Sequence, residues 1–435
     1  MSVTGWGRVI RPGHDVTTPD RRDAGRLAAS PSGPLTLHGQ GRSYGDTAIN
    51  EGGTVLRTGR LDRFLAADWE TGVIRAQAGL TIDALLRVCV PRGWFVPVTP
   101  GTKHVSLGGA VASDVHGKNH HHVGAFGAHV RALGLVRSDR EAQVLRPGDP
   151  LFALTVSGLG LTGLIDWVEI QLIPIASDRM IVENIPHDDL DHFMALSEES
   201  ADWPYVVAWV DCLAKGDALG RGVFTRGRHA RNPGPLTPHP PEPRLAWPFR
   251  TPGALLNRHS VGMFNALYRR RPGARFDGMQ HYAPFFHPLD GIARWNLMYG
   301  SGGFYQHQCI IPRPAAREGV SALLETVARA GQGSFLAVMK SHGAERSPGA
   351  LTFCLDEPGV TLALDFANRG PSTYALVTEL DAIAHDHGGR MYPAKDATMS
   401  QTIFTRTYPR WEELEAARDP VIHSHFWRRV TGIAA

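Results

Sequence analysis

Lysine is scarce in this chain of 435 residues, in which five lysines stand among 45 lysine and arginine side chains. Arginine therefore supplies nearly all of the positive charge. In a chain whose cations are nearly all arginine, a lysine indicates a position that needs a compact ammonium group with an adjustable pKa. Lys118 lies in a short polar segment. A lysine in such a place is suited to stabilising developing charge or accepting a proton.

The segment 115–122 concentrates polar side chains, because His116 and Lys118 are followed by three consecutive histidines. His116 and His120 have the i, i+4 spacing of two metal ligands on one helix face. However, Gly117 weakens a helix there and no nearby acidic ligand completes a site. We therefore predict no metal ion, and interpret the segment as a polar loop that lines a cofactor or substrate.

Three glycine-rich segments occupy residues 38–46, 100–109 and 157–163. The first does not match a dinucleotide-binding fingerprint, because residues 46–53 show no helical period after it. A glycine-rich turn can instead form a nest of backbone N–H groups around a phosphate, with a plain hairpin turn as the alternative. Three such clusters without a P-loop motif predict one large ligand that the backbone touches at several places.

The overall composition limits the classes of function. The chain is 43% hydrophobic and 20% charged, as in folded globular proteins, and its length suggests two domains. A formal net charge of +3 is too small for a nucleic-acid-binding surface. The 48 glycines and 31 prolines favour a mixed fold rich in strands and turns.

The four cysteines are scattered along the chain without a CxxC motif, which argues against disulfides and thiolate metal sites. The N-terminus has no apolar stretch typical of a signal peptide. The longest uncharged stretch, 295–312, is interrupted by glycines and glutamines and does not resemble a membrane span. We therefore expect a cytoplasmic protein, with peripheral membrane contact left open.

Short apolar runs separated by glycines predict the elements that position these motifs. Thr81 is the expected N-cap of a helix that ends near Val90. The character of the sequence changes between 227 and 253. Eight prolines between 233 and 252 predict an exposed, extended, mobile loop there, near 229–253. The remaining expected elements are strands at 35–38, 73–78, 164–175 (buried on both faces) and 303–311, a hairpin at 130–145, and helices at 316–330, 372–387, 411–418 and 425–430.

In this order, the motifs resemble the vanillyl-alcohol-oxidase-type FAD-binding family and, within it, the decaprenylphosphoryl-β-D-ribose 2′-oxidase group. The resemblance extends nearly from end to end. Its most specific signature is HGKNHH at 116–121, followed by GxFGxHV at 124–130. The other motifs that carry it are Gly5–Gly7, Gly41–Asp46, Pro100–Thr102, Gly160–Gly163, Phe286–Asp290 and Tyr392–Asp396.

The resemblance implies an α+β fold with two domains. An FAD-binding domain would combine residues 1–177 and 389–435, and a substrate domain, 178–388, would cover the flavin with an antiparallel sheet. The FAD-binding residues implied are Gly39, Gly41, Arg42, Ser43, Tyr44, Gly45, Pro100, Gly101, Thr102, Gly108, Gly109, His116, Gly117, Asn119, Gly163 and Lys395. The substrate-binding residues implied are Lys118, Trp209, Tyr299, Gln306, Gln308, Lys340 and Ala363.

The catalytic residues that the resemblance implies are Lys395, His116 and Lys340. Lys395 would stabilise negative charge on the reduced flavin and accept a substrate proton, with His116 as the competing base. FAD is expected to be bound non-covalently. Relatives with a covalent flavin attach it through a histidine whose position here is Arg42, and a guanidinium offers no nucleophilic imidazole.

The implied activity is oxidation of a secondary alcohol of a furanose sugar, at a ribose C2′-type position, to a keto-sugar. In this family the reaction is the first half of an epimerisation that an NAD(P)H-dependent keto-reductase completes. The substrate is either lipid-linked or a small soluble molecule, because Ala363 replaces the group's cysteine, Thr361 its usual asparagine and His122 a small residue. The alternatives are an oxidase of alditols, aldonolactones or nucleosides, and a flavin-binding protein without activity.

Overall fold

The structure, a computed structural model, describes residues 3–11, 13–19, 33–240, 245–344 and 347–433. These residues combine helices with mostly antiparallel sheets, so the expected α+β class is confirmed. The helices are Ile82–Cys89, Leu107–Ala112, His120–Val123, Pro150–Thr155, Leu190–Glu199, Arg258–Arg270, Tyr282–Phe286, Arg313–Ala330, Pro371–Asp386, Gln401–Thr407, Trp411–Ala417 and His425–Thr431.

The N-terminal part of the chain forms two sheets. Three parallel strands lie in the order Asp15–Thr17, Thr54–Arg57 and Leu35–His38. Five antiparallel strands lie in the order Phe64–Asp68, Val73–Gln77, Leu164–Gln171, Val130–Val136 and Gln143–Leu145. The last two strands confirm the predicted hairpin.

An eight-stranded antiparallel sheet follows. Its strands lie in the order Phe276–His281, Arg179–His187, Gly222–His229, Tyr205–Val210, Ala337–His342, Gly359–Ala367, Phe304–Pro312 and Arg390–Met391. Two small pairs complete the set: Trp94–Phe95 with Ile173–Pro174, and Leu245–Ala246 with Ile292–Ala293.

Strand alternation gives the eight-stranded sheet two different faces. Leu362 and Leu364 belong to the same apolar cluster as Val320 and Leu323 of the helix Arg313–Ala330. Ala363, which lies between the two leucines, therefore points to the opposite face. That opposite face is the one available for a ligand.

Local capping agrees with the sequence at the helix Ile82–Cys89. The Thr81 hydroxyl accepts a hydrogen bond from the Ala84 N–H at 3.1 Å, as predicted for an N-cap.

The C-terminal segment packs back onto the N-terminal sheets. Leu35 N–H donates to the Val421 carbonyl at 2.7 Å, and the Ser138 hydroxyl donates to Asp419 at 2.6 Å. The division into a discontinuous and an inserted domain stays a prediction.

Two predicted elements were wrong in detail. The strand expected over 164–175 ends at Gln171. Half-buried positions alternate with buried ones along most of it, so it is not buried on both faces as predicted. The predicted proline-rich loop begins too early, because Gly227–His229 completes an interior strand of the large sheet. Residues 241–244 of that loop lie outside the described residues.

The proline-rich loop is also not exposed throughout. His239 is only 2% exposed. Its Nε2 lies 2.7 Å from Asp83, and its Nδ1 lies 2.6 Å from the Tyr282 hydroxyl. The His239 side chain, together with Arg87, which donates to the His239 and Pro240 carbonyls, therefore holds this part of the loop against the helix Ile82–Cys89. Composition alone does not reveal these contacts. None of the helices among the described residues has the length and apolar character needed to cross a bilayer.

Candidate functional site

A cavity of about 490 Å³ lies between the N-terminal glycine-rich segments and the open face of the eight-stranded sheet. Its size is typical of a site for a cofactor or small ligand. Most of the predicted site residues line it. They are Gly39, Gly41, Arg42, Ser43, Tyr44, Pro100, Gly101, Thr102, Gly108, Gly109, His116, Gly117, Lys118, Gly163, Gln306, Gln308, Lys340, Ala363 and Lys395.

Four predicted site residues do not line the cavity, and each has a structural contact instead. A Cβ atom at Gly45 would overlap the Asp396 carbonyl oxygen. The Asn119 side chain donates to the Pro97 carbonyl at 2.8 Å. The Trp209 indole N–H donates to the Phe335 carbonyl at 3.3 Å. Tyr299 stacks on Phe304 with ring centroids 4.4 Å apart.

The glycines bring backbone close to the cavity. A Cβ atom at Gly108 would lie 2.8 Å from the Cβ of Ala78, so only glycine allows this approach without a shift. Ser106 caps the short helix Leu107–Ala112 by accepting a hydrogen bond from Gly109 N–H at 3.3 Å. The second glycine-rich segment thus forms a close-packed wall of the cavity, with the Gly108 N–H bonded to the Ala78 carbonyl and the Gly109 N–H to Ser106.

Arg42 supplies a positive group suited to an anionic ligand. Its guanidinium carbon lies 4.2 Å from the Trp6 ring centroid, a cation–π contact that holds the side chain at the cavity wall. Its buried Nε has no hydrogen-bond partner among the described residues. A buried donor without a partner is costly. The FAD diphosphate, held here and by the glycine segments, would satisfy it, so the residues present fit this cofactor.

The open sheet face presents polar side chains at alternating positions. The strand Gly359–Ala367 lies between two neighbouring strands. Gln308 of one neighbour pairs with Ala363, and Lys340 of the other neighbour pairs with Thr361. The strand register therefore places Gln306, Gln308 and Lys340 on one face, as period-two alternation requires. The sequence resemblance named these residues, and the register explains why they meet.

Lys340, His116 and Gln308 form a connected group. Lys340 Nζ lies 2.8 Å from His116 Nδ1, and the Gln308 side-chain amide lies 2.9 Å from His116 Nε2. Burial and the nearby Lys340 charge hold the pKa of His116 well below its usual value. Burial, together with Lys118, lowers the pKa of Lys340 to about 7. Both nitrogens of the imidazole are thus occupied by protein groups.

Lys395 lies in a second group of side chains at the cavity. Its Nζ is 3.8 Å from the Tyr44 ring centroid. Burial lowers the pKa of Lys395 to about 8, and the negative charge of Asp365 works against that shift. Burial raises the pKa of Asp365 to about 7. Gln306 donates a hydrogen bond to one oxygen of Asp365.

Asp365 is the main site residue that the sequence analysis missed. It is fully buried, beside the side chains of Gln306 and Tyr299. The signal that could have found it is its spacing, since it lies two residues after Ala363 and so on the same face of the strand. Asp365 does not itself line the cavity, and the residues that do include several that were not predicted, among them Trp6, Gln40, Thr58, Ser106, Asp290 and Arg294.

Lys118 approaches the cavity from the HGKN segment. Its Nζ lies 5.6 Å from the Phe285 ring centroid, and burial lowers its pKa to about 8. With Lys340 and Lys395, it brings three of the five lysines of the chain to one cavity. Of the remaining two, Lys103 lies 3.7 Å from Asp83 and 3.8 Å from Asp290, and Lys215 is exposed.

Comparison with known proteins identifies the cofactor class. Residues 16–145 match the family described as FAD binding domain. The chain is 35% identical over 440 aligned residues to decaprenylphosphoryl-β-D-ribose oxidase of Mycolicibacterium smegmatis, covering 96% of this chain and 94% of that protein. These matches confirm the expected FAD cofactor and the expected class, an FAD-dependent oxidoreductase.

Two further relatives show how the similarity is distributed. A Streptomyces coelicolor protein described as an uncharacterized protein in the mprA 5′ region is 34% identical over 361 residues, which cover 78% of this chain and 96% of that protein. Alditol oxidase of a Streptomyces species is 26% identical over 176 residues, which cover 40% of this chain and 42% of that protein. The similarity to alditol oxidase is thus limited to part of the chain.

Proposed function

Because the chain belongs to the decaprenylphosphoryl-β-D-ribose oxidase family of FAD-dependent oxidoreductases, we propose that it oxidises a secondary alcohol of a furanose sugar to a ketone. The site proposed is the C2′-type position of a ribose unit. The observation that carries the proposal is the meeting of three half-buried lysines, His116 and two glutamines in one cavity beside the glycine-rich segments.

The cavity side chains suit a polyhydroxylated, negatively charged substrate. Gln306 and Gln308 offer amide donors and acceptors for sugar hydroxyls, and their buried positions favour well-defined hydrogen bonds. Lys118 and Lys340 offer ammonium groups for a phosphate or for ring oxygens. Val207 and Val338 add apolar surface to the same lining. The proposed role of this face is to hold one C–H bond of the sugar in a reactive orientation.

Arg42, Ser43 and the glycines of the first two clusters would hold FAD, together with Thr102 and Lys395. When bound, FAD supplies the two-electron oxidation, taking the hydride from the carbinol carbon. The protein must remove the hydroxyl proton and keep water away from the reacting atoms. The oxidation is balanced when the alcohol loses one hydride and one proton to give the ketone.

Lys395 is the residue proposed to take that proton. With a pKa of about 8, it has a neutral fraction near neutral pH. An amine that accepts the proton becomes the cation that stabilises the negative charge arriving with the hydride, so one group serves both needs. His116 is less suited, because Lys340 and Gln308 occupy both of its ring nitrogens. We propose that His116 and Lys340 orient the substrate instead.

The substrate can be lipid-linked or soluble, and the proposal favours a ribose carried on a phosphate. The similarity to the Mycolicibacterium protein over 96% of the chain supports this choice. Ala363 lines the cavity, and Thr361 lies two residues before it on the same face of the strand Gly359–Ala367. A small side chain at position 363 leaves room beside the reacting carbon, which changes substrate fit without removing the proposed catalytic groups.

We further propose that the protein works in the cytoplasm, in peripheral contact with a membrane when its sugar is lipid-linked. A keto-sugar with a lost stereocentre is the substrate expected for an NAD(P)H-dependent keto-reductase, which would complete an epimerisation. Fractionation of cells tests the location. Recovery of the protein wholly apart from membranes, together with no reaction on lipid-linked sugar, would remove the lipid-linked version.

The experiment that tests the proposed function is anaerobic bleaching of bound flavin by a substrate panel. Ribose linked to a polyprenyl phosphate should reduce the flavin, and soluble ribofuranosides should do so more slowly. Reduction only by alditols or aldonolactones would replace the proposed substrate class. A flavin that no compound reduces would favour a binding protein without catalysis.

A further inference from the structure

Three buried side chains that the proposed reaction does not use lie together behind the His116–Lys340 pair. They are His120, His342 and Cys354. They come from separate parts of the chain: the helix His120–Val123, the end of the strand Ala337–His342, and the loop before Gly359. Among the described residues, their three possible ligand atoms all lie within 4.8 Å of one another.

The three side chains are in direct contact. His120 Nε2 lies 2.8 Å from Cys354 Sγ. The His120 and His342 rings stack with centroids 3.9 Å apart and an interplanar angle of 15°. The exposed fraction is 1% for His120, 2% for His342 and 3% for Cys354. Bulk solvent therefore has little access to the group.

The hydrogen-bonding capacity of this group is not met by the protein. Both ring nitrogens of His342 are buried and have no partner among the described residues, and the same holds for Nδ1 of His120. Buried polar atoms in native proteins almost always have a partner, so each exception needs an explanation. A neutral imidazole has one lone pair and one N–H, so a cation bound to His342 would account for one of its two unpartnered nitrogens.

We propose that His120, His342 and Cys354 bind a transition-metal ion of the zinc class. Two imidazoles and a thiolate are typical donors for Zn²⁺, and the absence of a carboxylate from the trio disfavours Mg²⁺ and Ca²⁺. Binding replaces the thiol proton of Cys354, which is released to solvent, with a metal–sulfur bond. A water molecule would complete a tetrahedral set.

The geometry requires a small adjustment on binding. Zinc lies about 2.0–2.3 Å from nitrogen and sulfur ligands. The His120 Nε2 and Cys354 Sγ atoms must therefore move apart, and the longer distances within the trio must shorten, by movements on the order of 1 Å. The His342 ring must also turn out of its stack on His120, because two nearly parallel imidazoles do not direct their lone pairs at one point.

The position of the site gives it a supporting role for the catalytic group. The His342 ring lies 4.8 Å from the His116 ring, centroid to centroid. A bound ion would fix His342 against His116, and would tie the HGKN segment to the loop that carries Cys354. The metal would therefore act as a structural clamp behind the cavity, with no role in the oxidation itself.

Metal analysis of the full-length, FAD-loaded protein tests this proposal. After treatment with a chelator, titration with Zn²⁺ should restore about one ion per chain, and Co²⁺ should give a thiolate-to-metal charge-transfer band in a difference spectrum against the metal-free protein. Excess Mg²⁺ should not compete. Cys354→Ala and His342→Gln should each weaken Zn²⁺ binding by at least about tenfold, the low end for disturbing a metal site. Cys309→Ala is the matched control, because Cys309 is fully buried but lies outside the group.

The outcomes separate metal from the alternatives. If the parent protein takes up no Zn²⁺ and gives no cobalt band, water rather than a metal satisfies the histidines, and the proposal is wrong. If Cys354→Ala binds Zn²⁺ as tightly as the parent, the ion lies elsewhere and the assignment is again wrong. The cobalt measurement on the parent needs no variant, so it remains decisive even if a substitution prevents folding. None of these readouts depends on the sugar oxidation.

Discussion

Lys395 Nζ lies 3.8 Å from the centroid of the Tyr44 ring. This contact joins the last segment of the cavity to the first glycine-rich segment, although 350 residues separate them in the sequence. Nearby, the Tyr44 N–H donates to the Ala394 carbonyl at 2.9 Å. The proposed proton acceptor is thus held by backbone pairing as well as by the ring, so its position does not depend on one flexible side chain.

Lys395→Met should keep FAD bound and slow flavin reduction by substrate at least about a hundredfold, the low end for losing such a group. The substitution removes both the proton acceptor and the cation while keeping similar bulk. Stopped-flow absorbance under anaerobic conditions measures the rate. Lys215→Met, at an exposed lysine, is the control and should react as the parent does. A Lys395→Met rate equal to that of the parent would remove Lys395 from the mechanism.

Asp365→Asn should move the pH dependence of flavin reduction toward lower pH. In the parent, the rate should rise with pH and level off near the Lys395 pKa of about 8, as the amine loses its proton. The Asp365 charge raises that pKa, so its removal should lower the midpoint. Asp211→Asn is the control, since Asp211 pairs with Arg221 outside the cavity. An unchanged midpoint in Asp365→Asn would show that the two groups are not coupled.

Gly45→Ala should destabilise the fold by more than about 3 kcal/mol, which is beyond the usual range for a single substitution. A Cβ atom there would overlap the backbone of Asp396, so the first glycine-rich segment and the Lys395 segment could not pack together. Thermal unfolding measures the effect. Gly262→Ala, in a helix where a Cβ atom meets nothing within 4 Å, should be neutral or slightly stabilising. Equal melting temperatures for both variants would contradict this packing.

Acid precipitation should release yellow flavin into the supernatant. Arg42 stands where a covalently attached flavin would need a histidine, and a guanidinium forms no such bond. Its cation–π contact with Trp6 gives the side chain a different task, at the cavity wall. Absorbance spectra of supernatant and pellet are the measurement. Flavin that remains with the pellet would mean that another residue holds it covalently.

Sequence alone predicted much of the site because its motifs are local. The HGKN segment and the glycine-rich segments line the cavity almost as expected, since glycines let the backbone approach a ligand closely and the polar residues are neighbours in the sequence. Asp365 was missed because its role depends on strand register and on a neighbour, Lys395, that is distant in the chain. Trp209 was assigned to the pocket, but tertiary packing turns its indole toward Phe335.

The fold was predicted to a similar extent. Capping and turn residues located the helix after Thr81 and the hairpin at 130–145. The buried position of His239 was not predictable, because its partners Asp83 and Tyr282 lie far away in the sequence. The His120–His342–Cys354 group was missed for the same reason. Because the three residues are far apart in the sequence, their spacing did not suggest a metal site, and only the fold brings them together.

Flavin reduction by a ribofuranosyl substrate deuterated at C2′ tests the central claim most directly. If the protein removes hydride from that carbon, deuterium should slow anaerobic flavin reduction, and one keto-sugar should form per flavin reduced. The same sugar deuterated at C3′ should react at the rate of the unlabelled compound. An equal rate for the C2′-deuterated and unlabelled sugars, with no keto-sugar formed, would contradict oxidation at the C2′ position.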